Sequence, residues 1–261
     1  MKAVGVVVEY NPFHNGHLFH LQQAKKQSNA DIAIAVMSGN FLQRGEPALV
    51  SKWARTNMAL AAGVDIVFEL PYRFATQHAE IFAEGAVSIL SAAGCSTLCF
   101  GSESGDLDSF MKTIEFLDKN NEHFQEYIKA FTSQGYSYPK SISLSFQSLS
   151  PSLDTYIDIS SPNNILGLHY IQAIIRQKSN MKPDTITRKS AGYHDEHFSS
   201  ETIASATSIR KALFGEGREI DAIQRLVPRS TFEELSMYMR EYGGFHSWES
   251  YWPLLRYKLL Q

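Results

Sequence analysis

Short apolar runs alternate along the chain with longer stretches that mix apolar and polar positions. Four early runs are rich in Val and Ile and have no polar face, as expected for strands buried on both sides of a parallel sheet. A fifth, weaker run follows much later. The predicted strands are Val4–Val8, Ile32–Met37, Asp65–Leu70, Thr97–Phe100 and Thr185–Arg188.

The stretches between the early runs have helical periodicity and lie near residues 17–28, 51–62 and 76–93. The last two end in Ala-Gly, at Ala62-Gly63 and Ala93-Gly94. Gly commonly ends a helix because it adopts the left-handed conformation without strain. Strands and helices therefore alternate. Because crossovers between parallel strands are right-handed, this order predicts an α/β fold with a doubly wound parallel sheet.

The later part of the chain departs from this alternation. Residues 106–150 are polar and helical, which predicts a helical insertion. Ser160-Ser161-Pro162 carries the Ser cap and first-turn Pro that begin a helix. A loop at 191–200 leads to a predicted helix at Ser205–Leu213, and the chain from Pro228 is helical again.

These patterns divide the chain into two regions. We expect a sheet domain over residues 1–215, including the insertion, and the start of a helical C-terminal region over residues 216–261. The last residues, LLRYKLLQ, are apolar and carry no stop signal. The chain is therefore expected either to be cut short of its natural terminus or to end in a frayed helix.

Composition narrows the function classes. The 261 residues are 44% hydrophobic and 20% charged, enough for a substantial core. The net charge of -3 does not indicate a nucleic-acid binder, although a neutral total can hide a local basic stripe. Cys95 and Cys99 form no disulfide framework and are typical of small apolar core residues. Without a signal peptide or a membrane-length apolar run, we expect a cytoplasmic protein.

The first strand runs directly into Asn11-Pro12-Phe13-His14-Asn15-Gly16-His17. In an open α/β sheet the ligand crevice lies beyond the carboxyl ends of the strands. Gly16 lets the backbone approach a ligand closely, and the helix that follows offers free N–H groups and the positive end of its dipole. His14 and His17 can donate hydrogen bonds to phosphate oxygens. The stretch indicates a site for phosphoryl or adenylyl transfer, which depends mainly on positioning and charge.

Other interpretations of the histidines stay open. A pair of this spacing is often solvent-exposed without a role. His20, at helical spacing from His17, could complete a metal site, but no Cys or acidic ligands accompany the three. Tyr193-His194-Asp195-Glu196-His197 could also hold a metal, although a polar loop accounts for it better. We predict no metal site built from protein ligands alone.

A second motif, Ser205-Ala206-Thr207-Ser208-Ile209-Arg210, opens the later predicted helix. Its hydroxyl groups can cap the helix, whose N-terminus then faces phosphate, and Arg210 can hold two oxygens at once. Alone, the motif is typical of an ordinary helix cap with a surface Arg. Paired with the histidines, it resembles the triphosphate site of a known enzyme superfamily.

These motifs resemble the HxGH and ISSTxIR signatures of the nucleotidyltransferase superfamily, which includes class I aminoacyl-tRNA synthetases; Ala206 stands where a Ser is usual. Over almost the whole chain, the order of segments resembles the tRNA(Met) cytidine acetate ligase family, whose members are longer. The matching segments are GVVVEYNPFHNGHL, MSGNFLQRGEPALVSKWAR, GVDIVFELP, FGSE, SPNNILGLHY, ITRKSAGYHD and SATSIRKAL.

The resemblance implies the HIGH-type, Rossmann-like nucleotidyltransferase architecture and a two-step ligation. In that family, ATP activates acetate to acetyl-adenylate. The N4 amine of the wobble cytidine of elongator tRNA(Met) then takes the acetyl group and becomes N4-acetylcytidine. The implied partners are acetate and elongator tRNA(Met), and Mg²⁺ is expected with ATP, without a cage built only from protein ligands.

The resemblance also implies which residues form the site. His14, His17 and Arg210 are the expected catalytic residues. Lys189 is added only as a cation beside Arg188. The expected ATP contacts are Val7, Glu9, Tyr10, Asn11, Pro12, Phe13, His14, Asn15, Gly16, His17, His20, Gly101, Asn163, Arg188, Lys189 and Thr207.

Some residues near these motifs keep two interpretations. Glu9 either orients His14 or His17 or is a solvated strand end. Three residues on one predicted helix could either pack and be solvated or contact RNA. They are Lys52, Trp53 and Arg55. The loop at residues 43–47 has no clear chemistry and could cover an acetate pocket.

Two rival functions share the motifs. One is a small-molecule adenylyltransferase of cofactor synthesis, such as the pantetheine-phosphate type. The other is a non-catalytic regulator that binds nucleotide on the same fold. Acetate-dependent exchange of pyrophosphate into ATP separates the three, because only the ligase exchanges with a carboxylate.

Overall fold

Parallel strands form the centre of the fold in this computed structural model, which describes residues 1–150, 155–188, 202–215 and 220–261. The strands coincide with the apolar runs, to within a few residues at each end. They are β1 (Ala3–Val8), β2 (Ile32–Ser38), β3 (Ile66–Leu70), β4 (Thr97–Ser102) and β5 (Lys182–Thr187).

The strands lie in the order β3-β2-β1-β4-β5, and every pair is parallel. This confirms the doubly wound α/β sheet. β1 pairs with β2 along its full length, from Ala3 to Val8, but with β4 only at Val4 and Gly5. The carboxyl ends of β1 and β4 are therefore unpaired with each other, and a crevice opens at the switch point of the topology.

Helices flank both faces of the sheet. α1 begins at Asn15, two residues earlier than predicted, because His14 serves as its N-cap. The helices are α1 (Asn15–Ser28), α2 (Lys52–Ala61), α3 (Tyr72–Ala75), α4 (Ala79–Ala92), α5 (Leu107–Lys119), α6 (Asn121–Ser133), α7 (Tyr138–Leu149), α8 (Pro162–Arg176), α9 (Ala206–Phe214), α10 (Arg229–Tyr242) and α11 (Trp248–Leu259), with a 3₁₀ helix at Ile220–Ile223.

Two hydrophobic cores lie on opposite faces of the sheet, because successive strand residues point in opposite directions. Ile34 and Val36 belong to the core that includes α4, α8 and the helices of residues 106–150. Ala33 and Ala35 belong to the other core, with α1, α2 and α9. The predicted insertion is therefore helical and packs on the sheet. Both cysteines are buried and free, as expected of core residues.

Strand β3 is less buried than the sequence predicts. The expectation that its run is buried on both faces is wrong, since Ile66 and Phe68 are each 40% exposed. β3 lies at the edge of the sheet and has only β2 as a neighbour. Apolar content marks the strand but does not indicate its place in the sheet.

The helical C-terminal region is also not separate from the sheet domain. Ile223, Val227 and Leu235 are buried in the same core as Val4 and Val6 of β1. The boundary predicted after residue 215 therefore does not divide two cores. Among the described residues, no helix is both long and apolar enough to cross a bilayer.

Candidate nucleotide-binding site

The turn from β1 to α1 places two imidazoles side by side. His14 Nδ1 accepts a hydrogen bond from Gly16 N–H at 3.0 Å, and His17 Nδ1 accepts one from His14 N–H at 3.3 Å. The two rings stack with their centroids 3.7 Å apart. Because each Nδ1 is an acceptor, each neutral ring carries its proton on Nε2. The histidines therefore form the cap of their own helix and keep one N–H donor each for a ligand.

The pKa values of these histidines are strongly lowered. Burial and then the nearby positive charge of Arg188 lower the pKa of His14 to about 3 and that of His20 to about 4. Burial also holds the pKa of His17 well below its usual value, with His14, Arg188 and His20 contributing. At neutral pH all three rings are uncharged. In this neutral form His14 and His17 each carry an Nε2–H that can donate to a phosphate oxygen.

Acid should destabilise the fold through these same groups. Below pH 6.5 the unfolded chain binds protons at the three histidines. In the folded chain the pKa is about 3 at His14, about 4 at His20 and well below its usual value at His17, so stability is present above pH 6.5 and falls as the pH drops. We expect His20→Gln to reduce this slope by about 1.4 kcal/mol per pH unit in urea unfolding measured from pH 7 to pH 4.5. His123→Gln, on α6, is the control; an equal change would contradict the assignment.

The backbone amides of the first turn already have protein acceptors. Asn15 N–H donates to Leu226 O at 3.1 Å, Gly16 N–H to the His14 ring, and His17 N–H to His14 O at 2.9 Å. The idea that these amides cradle phosphate stays a prediction. The donors of this turn that have no partner among the described residues are the imidazole Nε2–H groups of His14 and His17.

Asn15 ties this turn to two distant parts of the chain. Its side-chain amide donates to Thr202 O and to Arg225 O, at 2.9 Å each. Thr202 lies four residues before α9, which carries the second motif. Asn15 is buried, so we interpret it as a support that sets the histidines against α9.

The second motif meets the first across this junction. Arg210 Nη1 donates to Asn11 O at 2.8 Å, and its Nη2 lies 3.4 Å from Thr207 Oγ1 and 4.0 Å from Glu46 Oε2. Ser205 caps α9, because its Oγ accepts from Ser208 N–H at 3.0 Å. The fold thus brings together the two motifs that the sequence paired.

A third group lies across the crevice, where β4 and β5 end and α8 begins. Arg188 Nη1 donates to Asn163 Oδ1 at 3.1 Å. A Cβ atom added to Gly101 would lie 3.1 Å from Arg188 Cγ and 3.7 Å from His20 Cδ2. Gly101 therefore leaves room for the Arg188 stem, which a simple turn would not require. His20 Nε2 is buried without a hydrogen-bond partner, as expected of a donor or acceptor that a ligand completes.

Arg55 lies beneath the carboxyl ends of two neighbouring strands, β1 and β2. It is fully buried, and its guanidinium donates to Glu9 O at 2.6 Å, to Ser38 O at 3.0 Å and to Gly39 O. The prediction that Arg55 contacts RNA is therefore wrong, because its buried side chain joins the carboxyl ends of β1 and β2. Lys52 pairs instead with Glu69, at 2.5 Å.

Glu9 does not orient the histidines through any hydrogen bond of the described residues. Its Oε1 accepts from Gln43 N–H at 2.9 Å, which anchors the loop at residues 43–47. Burial raises the pKa of Glu9, while the Gln43 bond and the positive charge of Arg55 oppose that rise. Glu9 is half-buried and, among the described residues, anchors this loop instead of bonding to an imidazole. Its contact with ATP stays a prediction.

Several expected ATP contacts have their side chains in the core. Tyr10 and Phe13 are buried, with ring centroids 4.6 Å apart, and Val7 packs against the core on the other face. Pro12, which lies between Tyr10 and Phe13 in the sequence, is also buried. These side chains therefore shape the turn, and contact of these residues with ATP stays a prediction.

Two sequence predictions lie outside the described residues: Lys189 and the polar loop that includes Tyr193-His194-Asp195-Glu196-His197. Within the described ranges, no group of three or more His, Cys, Asp or Glu side chains is arranged to hold a metal ion. Glu103, which contacts Asn163, is not among the site residues predicted from the sequence. Its position directly after the FGS of β4 could have indicated a place at the crevice.

Comparison with known proteins agrees with this geometry. A family model described as HIGH Nucleotidyl Transferase matches residues 1–261. Two curated proteins named tRNA(Met) cytidine acetate ligase are similar to this chain. The one from Lysinibacillus sphaericus is 52% identical, and the match covers 100% of this chain and 65% of the relative. The one from Anoxybacillus flavithermus is 54% identical, and the match covers 100% of this chain and 64% of the relative. The chain thus spans less than two thirds of these relatives' length.

Solved structures also match the chain. The crystal structure of Thermotoga maritima TmcAL bound with alpha-thio ATP is 37% identical, with a TM-score of 0.81, and the match covers 94% of this chain and 58% of that one. The apo form gives a TM-score of 0.82, with coverage of 96% and 60%. The chain therefore belongs to the HIGH nucleotidyl transferase family, as a relative of its tRNA(Met) cytidine acetate ligases.

Proposed function

We propose that this chain carries the ATP-dependent activating site of a tRNA(Met) cytidine acetate ligase. The observation that carries the proposal is the stacked pair His14 and His17, uncharged and with no Nε2 partner among the described residues, in the turn to which Arg210 bonds through Asn11 O. The names of the relatives and the alpha-thio ATP bound to the Thermotoga protein support ATP as the nucleotide.

In the first step, an acetate oxygen attacks the α-phosphorus of ATP. The bond from that phosphorus to the bridging oxygen of the β-phosphate breaks, and pyrophosphate leaves with the electron pair. His14 and His17 donate hydrogen bonds to the α-phosphate oxygens as charge develops, and Arg210 with Thr207 holds the departing phosphates. The nucleoside end lies toward Gly101 and Asn163.

In the second step, the N4 amine of the wobble cytidine of elongator tRNA(Met) attacks the carbonyl carbon of acetyl-adenylate. The carbon–oxygen bond to AMP breaks, AMP leaves, and the amine loses a proton. This step belongs to the full-length protein in our proposal, because the chain spans under two thirds of its relatives. The cytoplasm, where tRNA occurs, is the proposed location.

Mg²⁺ would enter with ATP and would offset the negative charge of its phosphates. The donors of the site are imidazole N–H groups, a hydroxyl and guanidinium groups, which suit phosphate oxygens and not a divalent cation. The residues named here therefore orient the anion, while the cation offsets its charge.

The direct test is exchange of labelled pyrophosphate into ATP across a panel of small carboxylic acids. We expect exchange with acetate that exceeds exchange with formate, propionate or no acid. A chain that exchanges only with a phosphorylated small molecule is a cofactor adenylyltransferase, and one that binds ATP without any exchange is a regulator. Either result would overturn the proposal.

Arg210→Ala is expected to weaken ATP binding by about 10-fold to 100-fold, because a guanidinium contact to phosphate is lost, while the KM for acetate stays within about twofold. Calorimetric titration measures the first value and pyrophosphate exchange the second. Arg229→Ala is the matched control, since Arg229 pairs with Glu233 on the exposed face of α10. Equal losses for ATP and acetate would contradict the role.

A further inference from the structure

The N-terminus of α8 is capped by a side chain from another segment. Ser161 occupies the N-cap position without a side-chain cap bond, and its hydroxyl donates instead to Asp158 at 3.0 Å. The carboxylate of Glu103 takes its place. It accepts from Asn163 N–H at 3.3 Å and from Asn164 N–H at 2.8 Å.

This carboxylate changes what the helix end can bind. An uncapped helix N-terminus that faces a crevice attracts phosphate through its free N–H groups and its dipole. Here Glu103 fills that position with a negative charge of the protein itself. Phosphates are therefore directed away from α8 and toward α1 and α9, on the other side of the crevice.

Glu103 also sets the orientation of the Asn163 amide. Asn163 Nδ2 donates to Glu103 Oε1 at 2.6 Å, so the amide oxygen faces the opposite way and accepts from Arg188 Nη1 at 3.1 Å. A flipped amide would place its oxygen against the carboxylate and its NH₂ group against the guanidinium. Both contacts would be repulsive, so the carboxylate selects one orientation.

Arg188 depends on this arrangement because it is exposed. Its stem lies over Gly101, and Asn163 Oδ1 is the acceptor that holds its guanidinium among the described residues. Arg188 also contributes to the lowered pKa of His14 and His17, so its charge acts at the histidine end of the crevice. The chain Glu103–Asn163–Arg188 thus spans from the α8 terminus to the proposed phosphate site.

We propose that Glu103 is a positioning residue for ATP: it orients Asn163 so that Arg188 is held at the triphosphate. The proposal rests on the proposed function only in taking ATP as the nucleotide. It assigns to Glu103 a role in nucleotide affinity and polarity, without contact between Glu103 and the reacting atoms.

A double-mutant cycle on ATP binding tests the proposal. Calorimetric titration with ATP, without acetate, is done for the unsubstituted chain, Glu103→Ala, Arg188→Ala and the double variant. We expect each single change to weaken binding by about tenfold, and the double variant to bind within about twofold of Arg188→Ala, because residues of one network are not additive. Glu103→Gln, which keeps one acceptor, should lie between Glu103→Ala and the unsubstituted chain.

The matched control is Asp106→Ala. Asp106 is a carboxylate in the same loop that caps the neighbouring helix α5, accepting from Asp108 N–H at 3.1 Å. It should lower the melting temperature as Glu103→Ala does but leave ATP affinity unchanged, which separates positioning from loss of a cap.

Each outcome decides one question. Losses that multiply in the double variant, or a loss of affinity in Asp106→Ala equal to that in Glu103→Ala, would overturn the role of Glu103. Coupled losses in a chain that shows no acetate-dependent exchange would leave that role in place and overturn the proposed ligase function. An unsubstituted chain that does not bind ATP would contradict both.

Discussion

Replacing His17 by alanine is expected to lower the rate of acetate-dependent pyrophosphate exchange by about 100-fold or more, while the dissociation constant for ATP changes little. The reason is the tautomer that the turn imposes. His17 Nδ1 is engaged by His14 N–H, so Nε2–H is a preorganised donor at the end of β1. Such a donor is most valuable where charge increases during the reaction.

The measurement is initial exchange rates at saturating ATP and acetate, with ATP titrations on the same preparations. His169→Ala is the matched control: His169 is on α8, burial also lowers its pKa, and its ring bonds to Gln172 at 3.1 Å. This control should keep full exchange. A folded His17→Ala variant with unchanged exchange would refute the role of His17 in stabilising the transition state.

Replacing Arg55 by methionine is expected to lower the free energy of unfolding by about 3–5 kcal/mol, the largest stability effect we predict. The change leaves the carbonyls of Glu9, Ser38 and Gly39 without their donor in a buried place. It also removes the positive charge that stabilises the half-buried Glu9 carboxylate. Methionine keeps most of the side-chain volume, so the loss reports the polar contacts.

Urea unfolding at pH 7 measures this loss. Lys52→Met, three residues earlier on the same helix, is the control, because its pair with Glu69 is partly exposed and should contribute only about 0–1 kcal/mol. If the two variants lose equal stability, Arg55 is not the strut between β1 and β2 that its hydrogen bonds indicate.

The strands and the first helices could be predicted from the sequence because their signals are local. Val4–Val8 and Ile32–Met37 are apolar throughout, and a strand buried on both faces needs nothing else. Gly63 and Gly94 end their helices with φ of +103° and +77°, as their position after Ala predicts. Strand–helix alternation then leaves few topologies, which explains why the doubly wound sheet follows from the pattern.

The two phosphate motifs could also be found in the sequence, since each carries its chemistry within a few residues. His14 and His17 lie in one helical turn, and Thr207 and Arg210 lie in another. Their pairing came from the resemblance to a family. The fold supplies the physical reason, because Asn15 bonds to the segment before α9 and Arg210 bonds to the HxGH turn.

Tertiary structure alone decided the roles that depend on distant partners. Arg55 and Lys52 lie three residues apart on the same helix. Arg55 is buried and joins two strands, whereas Lys52 forms a partly exposed ion pair. Glu103 finds Asn163 across sixty residues of chain, and Leu235 reaches the core beside β1. Helical and strand periodicity state which side of an element is apolar. They do not state which other element covers that side, and burial, amide orientation and pKa all depend on that neighbour.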